Sequence, residues 1–342
     1  MRFYNDELDS ILKVRQRTWL ITGVAGFIGS NLLERLLVTG QRVVGLDNFS
    51  TGQQSNLDDV KSNIAEHQWM NFNLIKGDIR CFEDCCKSLE GVDHVLHHAA
   101  LGSVPRSLKK PLETHEVNVT GFLNVLLASK DTDVKSFIYA SSSSVYGDAE
   151  GAEKYESIVG NQLSPYAVTK RANELYAEAL SSQCKHKIIG LRYFNVFGPR
   201  QSTEGEYSAV IPRWISLMMS RKNIVIHGDG ETSRDFCYVE NVVQANILAS
   251  ISNEFVKSRI FNVAMNARTS LNELYLIIKA HLGFYGVSYD LIPTKIAFRE
   301  GDIRHSLADI ERIKSELNFI PRVSVDTGLQ STVNWYIKNL NT

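Results

Sequence analysis

A doubly wound parallel α/β sheet is the fold this sequence predicts, on three observations. An apolar strand at 18–22 runs into glycines at 23, 26 and 29 and then into an amphipathic helix at 30–37. A second apolar strand, at 42–46, ends on Asp47. Strand-like and helix-like segments then alternate to about residue 190, which is the pattern of stacked βαβ units.

Taken in order, residues 3–16 carry Leu8, Ile11 and Leu12 at helical spacing and read as an amphipathic lead-in helix. The strand, glycine turn and helix that follow are the context of a dinucleotide site. Glycines allow the tight turn and the close approach of backbone to a pyrophosphate, and the helix N-terminus presents its positive dipole end. The spacing here is Gly-x-x-Gly-x-x-Gly. Asp47 stands about 20 residues on, where an acid hydrogen-bonds the adenosine ribose hydroxyls and repels a 2′-phosphate, favouring NAD over NADP. Asp78, followed by Ile79, closes a segment at 72–77 and fits a strand end beside the adenine. A fourth strand at 92–96 ends in His97, His98, Ala99 and Ala100, and small residues there let backbone approach a ligand at the mouth of the sheet. Asn118 is expected to open a helix at 119–129.

The fifth strand, at 137–140, runs into four serines at 141–144, and the sixth covers 187–191. Between them lies Tyr166, four residues before Lys170, so on a helix both side chains share a face. The lysine charge is expected to draw the tyrosine pKa down from about 10, making a general base for a sugar or alcohol hydroxyl. A serine of the run can relay or steady the same proton. In an arbitrary helix the pair is an aromatic beside a solvated cation; convergence with the cofactor signals on one sheet edge carries the catalytic reading.

After Arg192 the pattern changes, with helices expected from Ile211 and Val239, at 271–282 and at 327–339, and a short strand at 224–226. Two interleaved lobes follow. Residues 1–192 form a Rossmann-type domain with an N-terminal extension at 1–17, and 193–342 a smaller C-terminal α/β substrate lobe, of which about 236–262 returns to the first.

The chain has 342 residues, 44% hydrophobic and 22% charged, with a net charge of −1 and no basic stripe, so neither nucleic acid nor a membrane surface is implied as partner. No apolar run reaches membrane-spanning length, and residues 1–17 lack a signal-peptide core, so a cytoplasmic location is expected. The five cysteines are odd in number and irregularly spaced. Without a Cys-x-x-Cys pair they read as reduced thiols, His94, His97 and His98 as packed or hydrogen-bonded groups, and no metal is expected.

With the glycine turn, Asp47, Ser142, Tyr166 and Lys170 in this order, the chain resembles the extended short-chain dehydrogenase/reductase family, and within it the nucleotide-sugar 4-epimerases. The likeness runs through 22–29, 47–52, 77–79, 97–107, 166–170, 192–198, 234–236 and 299–302. A narrower likeness, at 101–106, 228–237 and 301–306, is to bacterial epimerases that interconvert UDP-N-acetylglucosamine and UDP-N-acetylgalactosamine for surface polysaccharide synthesis. The resemblance implies tightly bound NAD and a reversible inversion at sugar C4 through a 4-keto intermediate. Cofactor contacts are implied at Gly23, Gly26, Phe27, Ile28, Gly29, Asp47, Asn48, Asp78, Ile79, Ala99, Asn118, Tyr166, Lys170 and Tyr193. Substrate contacts are implied at Ser103, Ser142, Ser143, Asn195, Arg234, Arg299, Asp302 and Ser306, with Arg234 and Arg299 gripping the diphosphate through guanidinium forks. Tyr166, Lys170 and Ser142 become the catalytic set, with Ser143 the alternative hydroxyl. A homodimer built partly on the tyrosine helix is implied as well.

Two departures sharpen the expectation. Dehydratases of the family carry Asp-Glu after the catalytic hydroxyl; here Ser143 and Ser144 stand there, which counts against dehydration. Gly102 replaces the lysine that glucose/galactose epimerases place near the nicotinamide ribose. At Ser306, stricter glucose/galactose enzymes carry a bulky tyrosine, and a small side chain leaves room for an N-acetyl group. The rival readings are a UDP-glucose/UDP-galactose or uronate epimerase, a 4-keto decarboxylase, and an NAD-binding regulator, the last disfavoured by the intact Ser142, Tyr166 and Lys170.

Overall fold

The computed structural model describes residues 6–203, 209–252, 259–298 and 304–340. Seven parallel strands form the central sheet: β1 (Thr18–Thr22), β2 (Arg42–Asp47), β3 (Phe72–Lys76), β4 (His94–His97), β5 (Ser136–Ser142), β6 (Lys187–Tyr193) and β7 (Ile260–Val263). Their spatial order is β7-β6-β5-β4-β1-β2-β3. Because the order reverses between β1 and β4, the loops leaving these two strands diverge and open a crevice at their carboxyl ends.

Burial explains the strand sequences. β1 lies mid-sheet and buries Trp19, Leu20 and Ile21 completely, as a strand covered on both faces must. β3 is an edge and leaves Leu74 exposed. The helix Phe27–Val38 buries Leu32, Leu33, Leu36 and Leu37 against the sheet. The helix Pro165–Leu180 starts where it does because the Ser164 hydroxyl accepts from the Ala167 N–H at 3.2 Å and Pro165 supplies the preset first turn.

One helix differs from its sequence expectation. Asn118 does not open a helix; it lies inside one. Helix Pro111–His115 continues through a π-helical segment, Glu116–Thr120, into helix Gly121–Lys130. The buried Asn118 side chain takes the Leu101 N–H at 2.7 Å and donates to the Leu101 carbonyl and to Thr169 Oγ1, both at 3.1 Å. Such π segments occur where a helix must aim one functional side chain.

Beyond β6 a second apolar cluster gathers Phe197, Trp214, Ile215, Phe236, Leu274, Ile278 and Leu329. The helix Val239–Ile251 and β7 instead lie on the central sheet, β7 pairing in parallel with β6. Among the described residues no helix is long and apolar enough to cross a membrane.

Three buried histidines and the half-buried His98 make the fold acid-sensitive. His94 bonds Ser136 Oγ at 2.8 Å, His97 bonds Thr22 Oγ1 at 2.9 Å, and His186 lies 3.3 Å from Ser129 Oγ. Burial pushes His94 and His98 down to about 3, His186 to about 4, and His97 well below its ordinary value. A base whose folded pKa is depressed loses stability as pH falls below its unfolded value near 6.5. Buried Asp235 and half-buried Glu240, pushed up to about 6 and about 7, work the other way. Below pH 6.5 the four histidines cost stability that the two acids only partly return. Thermal denaturation should therefore show Tm falling between pH 6.5 and 5; a flat or rising Tm would mean these imidazoles take up protons without unfolding.

Candidate active site

The crevice at the carboxyl ends of β1, β2 and β4 is a cleft of about 360 Å³. Its lining includes Gly23, Gly26, Phe27, Ile28, Gly29, Asp47, Asn48, Asp78, Ile79, Ala99, Tyr166, Lys170 and Tyr193, so all but one of the sequence-predicted cofactor residues meet here. The exception, Asn118, stands behind the wall and holds Leu101, which does line it.

Each wall is fixed by its own bonds. Gly23 takes a φ of +72°, open to glycine at little strain. A Cβ on Gly29 would stand 2.1 Å from the Gly23 carbonyl oxygen, so the helix meets the turn as closely as backbone allows. Asp47 accepts from the Ala25 N–H at 2.8 Å and the Phe49 N–H at 2.9 Å, tying the glycine turn to the loop after β2. Asp78 accepts from Asn48 Nδ2 at 2.8 Å, and its bonds with Arg80 hold its carboxyl down at about 2. Thr22 Oγ1 takes the N–H groups of His98 and Ala99, each at 3.2 Å, and so shapes the loop after β4.

On the opposite wall Lys170, buried, donates to the Ala140 carbonyl at 2.8 Å. Burial brings its pKa down to about 8. Ser142 Oγ accepts from the Ser144 N–H at 3.1 Å and is near enough to the Tyr166 phenol to favour its ionised form. The expected lowering of the Tyr166 pKa is corrected here. Burial raises it, outweighing the opposing influence of Ser142. Lys170 Nζ lies 6.0 Å from the ring centroid and spends a proton on Ala140, so the spacing of four delivers a shared face but no direct contact of charge with phenol.

Ser141 is removed from the candidate hydroxyls, because its Oγ donates to buried Glu174 at 2.6 Å. His98 offers a different group. Asn246 Nδ2 donates to the Val242 carbonyl at 2.8 Å, which fixes Oδ1 as the atom 3.2 Å from His98 Nε2. That amide oxygen only accepts, so Nε2 carries the proton and the buried, unpartnered Nδ1 is a bare acceptor at the cleft wall.

A second cavity, of about 560 Å³, lies on the other side of the 193–195 segment and is lined by Asn195, Trp214, Thr232, Arg234 and Phe236 among others. Asn195 Nδ2 donates to the Asp235 carbonyl at 2.9 Å. Ser306 joins the Arg234 strand, its N–H donating to the Ser233 carbonyl at 3.2 Å. Ser103 is spent on capping the helix Val104–Lys109, accepting from the Arg106 N–H at 3.2 Å. Ser143 is half-buried beside Ser142. Arg299 and Asp302 lie outside the described residues.

Sequence reasoning missed Asn56, whose Nδ2 donates to the Ala25 carbonyl at 2.8 Å, and Arg200, both of which line the cleft. Arg200 is buried, with φ +67°, and pairs with Glu34 at 2.7 Å and Asp59 at 2.8 Å. Its place directly after Gly198-Pro199 was the one available signal. Among the described residues no group of three or more His, Cys, Asp or Glu side chains is placed to hold a metal ion.

The residues present fit a bound dinucleotide. A cradle that a single Cβ would fill stands at the helix N-terminus, where backbone N–H groups and the dipole favour a pyrophosphate. The bare His98 acceptor matches a ligand that brings hydroxyl or amide donors.

Comparison with known proteins agrees with this geometry. The NAD dependent epimerase/dehydratase family matches residues 19–264. A putative UDP-glucose 4-epimerase of Methanocaldococcus jannaschii is 33% identical over 324 residues, covering 94% of this chain and 99% of that one. The structure of a UDP-N-acetylglucosamine 4-epimerase from Methanobrevibacter ruminantium, in complex with UDP-N-acetylmuramic acid, is similar at 36% identity and a TM-score of 0.84, covering 95% and 99%. That of a UDP-glucuronic acid 4-epimerase from Bacillus cereus, with UDP-glucuronic acid and NAD, is similar at 30% identity and a TM-score of 0.80, covering 94% and 99%. With a cleft built for a dinucleotide and a family match across the whole sheet, this chain belongs to the NAD-dependent epimerase/dehydratase family, whose cofactor is NAD.

Proposed function

We propose that this protein is a UDP-sugar 4-epimerase whose substrates are UDP-N-acetylglucosamine and UDP-N-acetylgalactosamine. The observation that carries the reading is the meeting of Tyr166 and Lys170 on the cleft wall, with Ser142 next to the Tyr166 phenol. NAD bound in the cleft supplies the acceptor, and then the donor, of the hydride at sugar C4.

The protein's own work is proton handling and grip. Tyr166, as the phenolate, takes the proton of the 4-hydroxyl, holds it as the phenol, and returns it to the same oxygen. Ser142 fits a relay, since its oxygen accepts from the Ser144 N–H while its own proton is free to bond the phenol or the sugar. The raised Tyr166 pKa suits the phenol that keeps the proton between the two half-reactions, while the attacking phenolate needs the Lys170 cation beside it. Lys170 adds a buried cation where negative charge develops. Asn195 and Arg234 hold the uridine diphosphate in the second cavity while the sugar turns over.

Ser306 supports the N-acetyl preference because a serine beside the Arg234 strand is small and brings a hydroxyl. Purified protein, without added cofactor, should epimerise UDP-N-acetylglucosamine rapidly and UDP-glucose slowly, resolved by proton NMR. In Ser306→Tyr the ratio should turn toward UDP-glucose by about 10–100-fold. Turnover of UDP-glucose or a UDP-uronate alone by the wild type would reassign the sugar; no epimer of any of them would remove the reaction.

The tyrosine helix also supports a homodimer. Its Val168, Leu175 and Tyr176 are exposed, and the neighbouring Leu108 and Leu112 are 62% and 79% exposed, a concentration of apolar surface unusual on a monomer. Leu112→Asp combined with Leu175→Asp should halve the mass read by light scattering. An unchanged mass would place the contact elsewhere.

A further inference from the structure

The last three residues of β5 meet the tyrosine helix one turn at a time. Ser142 faces the Tyr166 phenol, the Ala140 carbonyl accepts from Lys170, and Ser141 Oγ donates to Glu174 at 2.6 Å. Tyr166, Lys170 and Glu174 are four residues apart, so they form one face. The third rung has no chemistry of its own, yet it is the most heavily bonded. Glu174, buried, accepts from Arg192 Nε at 2.8 Å and Nη2 at 2.9 Å and from Arg171 Nη1 at 2.9 Å.

Register gives this rung its meaning. Ser141 of β5 stands directly beside Arg192 of β6, and the next pair up is Ser142 beside Tyr193. Glu174 therefore grips both strands at the cleft wall itself, which Ser141 helps to line. A buried ion pair is a poor source of stability compared with apolar packing, so stability alone does not account for one here.

We propose that Glu174 is a positioning residue: by holding Ser141 and Arg192 together it sets the height of the tyrosine helix over β5 and β6, and so places Tyr166 against Ser142. The inference rests on the roles given above to Tyr166 and Ser142. The charge on Glu174 has a second consequence. Lys170 faces Tyr166 and Glu174 on its own helix and the neutral His97 and His98 near β4, and Glu174 is the anion that keeps it protonated against burial.

The test compares Ser141→Ala and Glu174→Gln as holoenzymes, on whichever UDP-sugar the wild type turns over. Ser141→Ala leaves the Glu174–Arg192 pair intact and should fold normally. Its kcat should fall about tenfold, with KM and bound NAD unchanged and Tm lowered by only a few degrees, because only the alignment of the strand end is loosened. Glu174→Gln keeps an acceptor for Ser141 but loses the charge, and should also move the alkaline limb of the pH profile to lower pH. Wild-type kcat in Ser141→Ala, or a fall matched by equal losses of bound NAD and Tm, would overturn the proposal. Tyr166→Phe run alongside separates the two readings: turnover that survives it defeats the assignment of the base, whatever the Glu174 result.

Discussion

Tyr166→Phe should fold, bind NAD and UDP-sugar as the wild type does, and turn over about 10³-fold more slowly, the usual worth of a positioned proton-transfer group. The expectation follows from what the phenol oxygen does. The ring is half-buried in the cleft wall, and the change leaves its packing in place. What disappears is the atom that faces Ser142, and with it the place where the sugar proton is held. Lys170 cannot take over, because it donates to the Ala140 carbonyl and remains a cation near neutral pH. Ser142 cannot either, since a hydroxyl without a basic neighbour does not accept a proton at neutral pH. A KM shift without a fall in kcat would mean that Tyr166 only binds substrate; a kcat within about tenfold of wild type would require another base.

Much of this site was legible in the chain because its signals are local. The glycine turn, Asp47 at a strand end, and Tyr166 four residues before Lys170 each depend on spacings of a few residues, and the cleft brings all of them together. What stayed hidden depends on contacts across the sheet. Nothing near Asn118 announces a π-helical segment, because its partners are Leu101 and Thr169. Four serines in a row cannot declare their roles; Ser141 is ruled out only by Glu174, thirty-three residues away. The Tyr166 pKa shows the same division. Spacing correctly put a lysine on its face, but burial, which no spacing encodes, sets the direction of the shift. Glu174 and Arg192 look like ordinary charges in the sequence and become a buried pair only when β5 and β6 align.

Gly29→Ala should nearly abolish NAD binding, and the reason lies in a contact that cannot yield. The new Cβ would stand 2.1 Å from the Gly23 carbonyl oxygen and 2.9 Å from the Val24 Cα, both backbone atoms. Gly23 has no freedom to retreat: its N–H bonds the Leu46 carbonyl at 2.8 Å, and its own carbonyl accepts from Gly26 at 3.1 Å. A Cβ on Gly23 would itself meet Ala99 at 2.8 Å, so the loop after β4 blocks the other direction. The helix Phe27–Val38 must therefore move away from the turn by about an ångström, against leucines packed on the sheet, at a cost of about 1–3 kcal/mol or more. That displacement draws the helix N-terminus, with its N–H groups, away from the place a pyrophosphate would occupy. Protein purified with this change should carry little NAD, judged by absorbance after denaturation, and melt several degrees lower. Gly283→Ala is the matched control, since a Cβ there meets nothing within 4 Å in a helix that runs Leu271–Phe284. It should hold NAD as the wild type does and melt no lower. Normal NAD content in Gly29→Ala would show that the turn tolerates a wider approach, and that the glycine cradle does not govern how the cofactor is held.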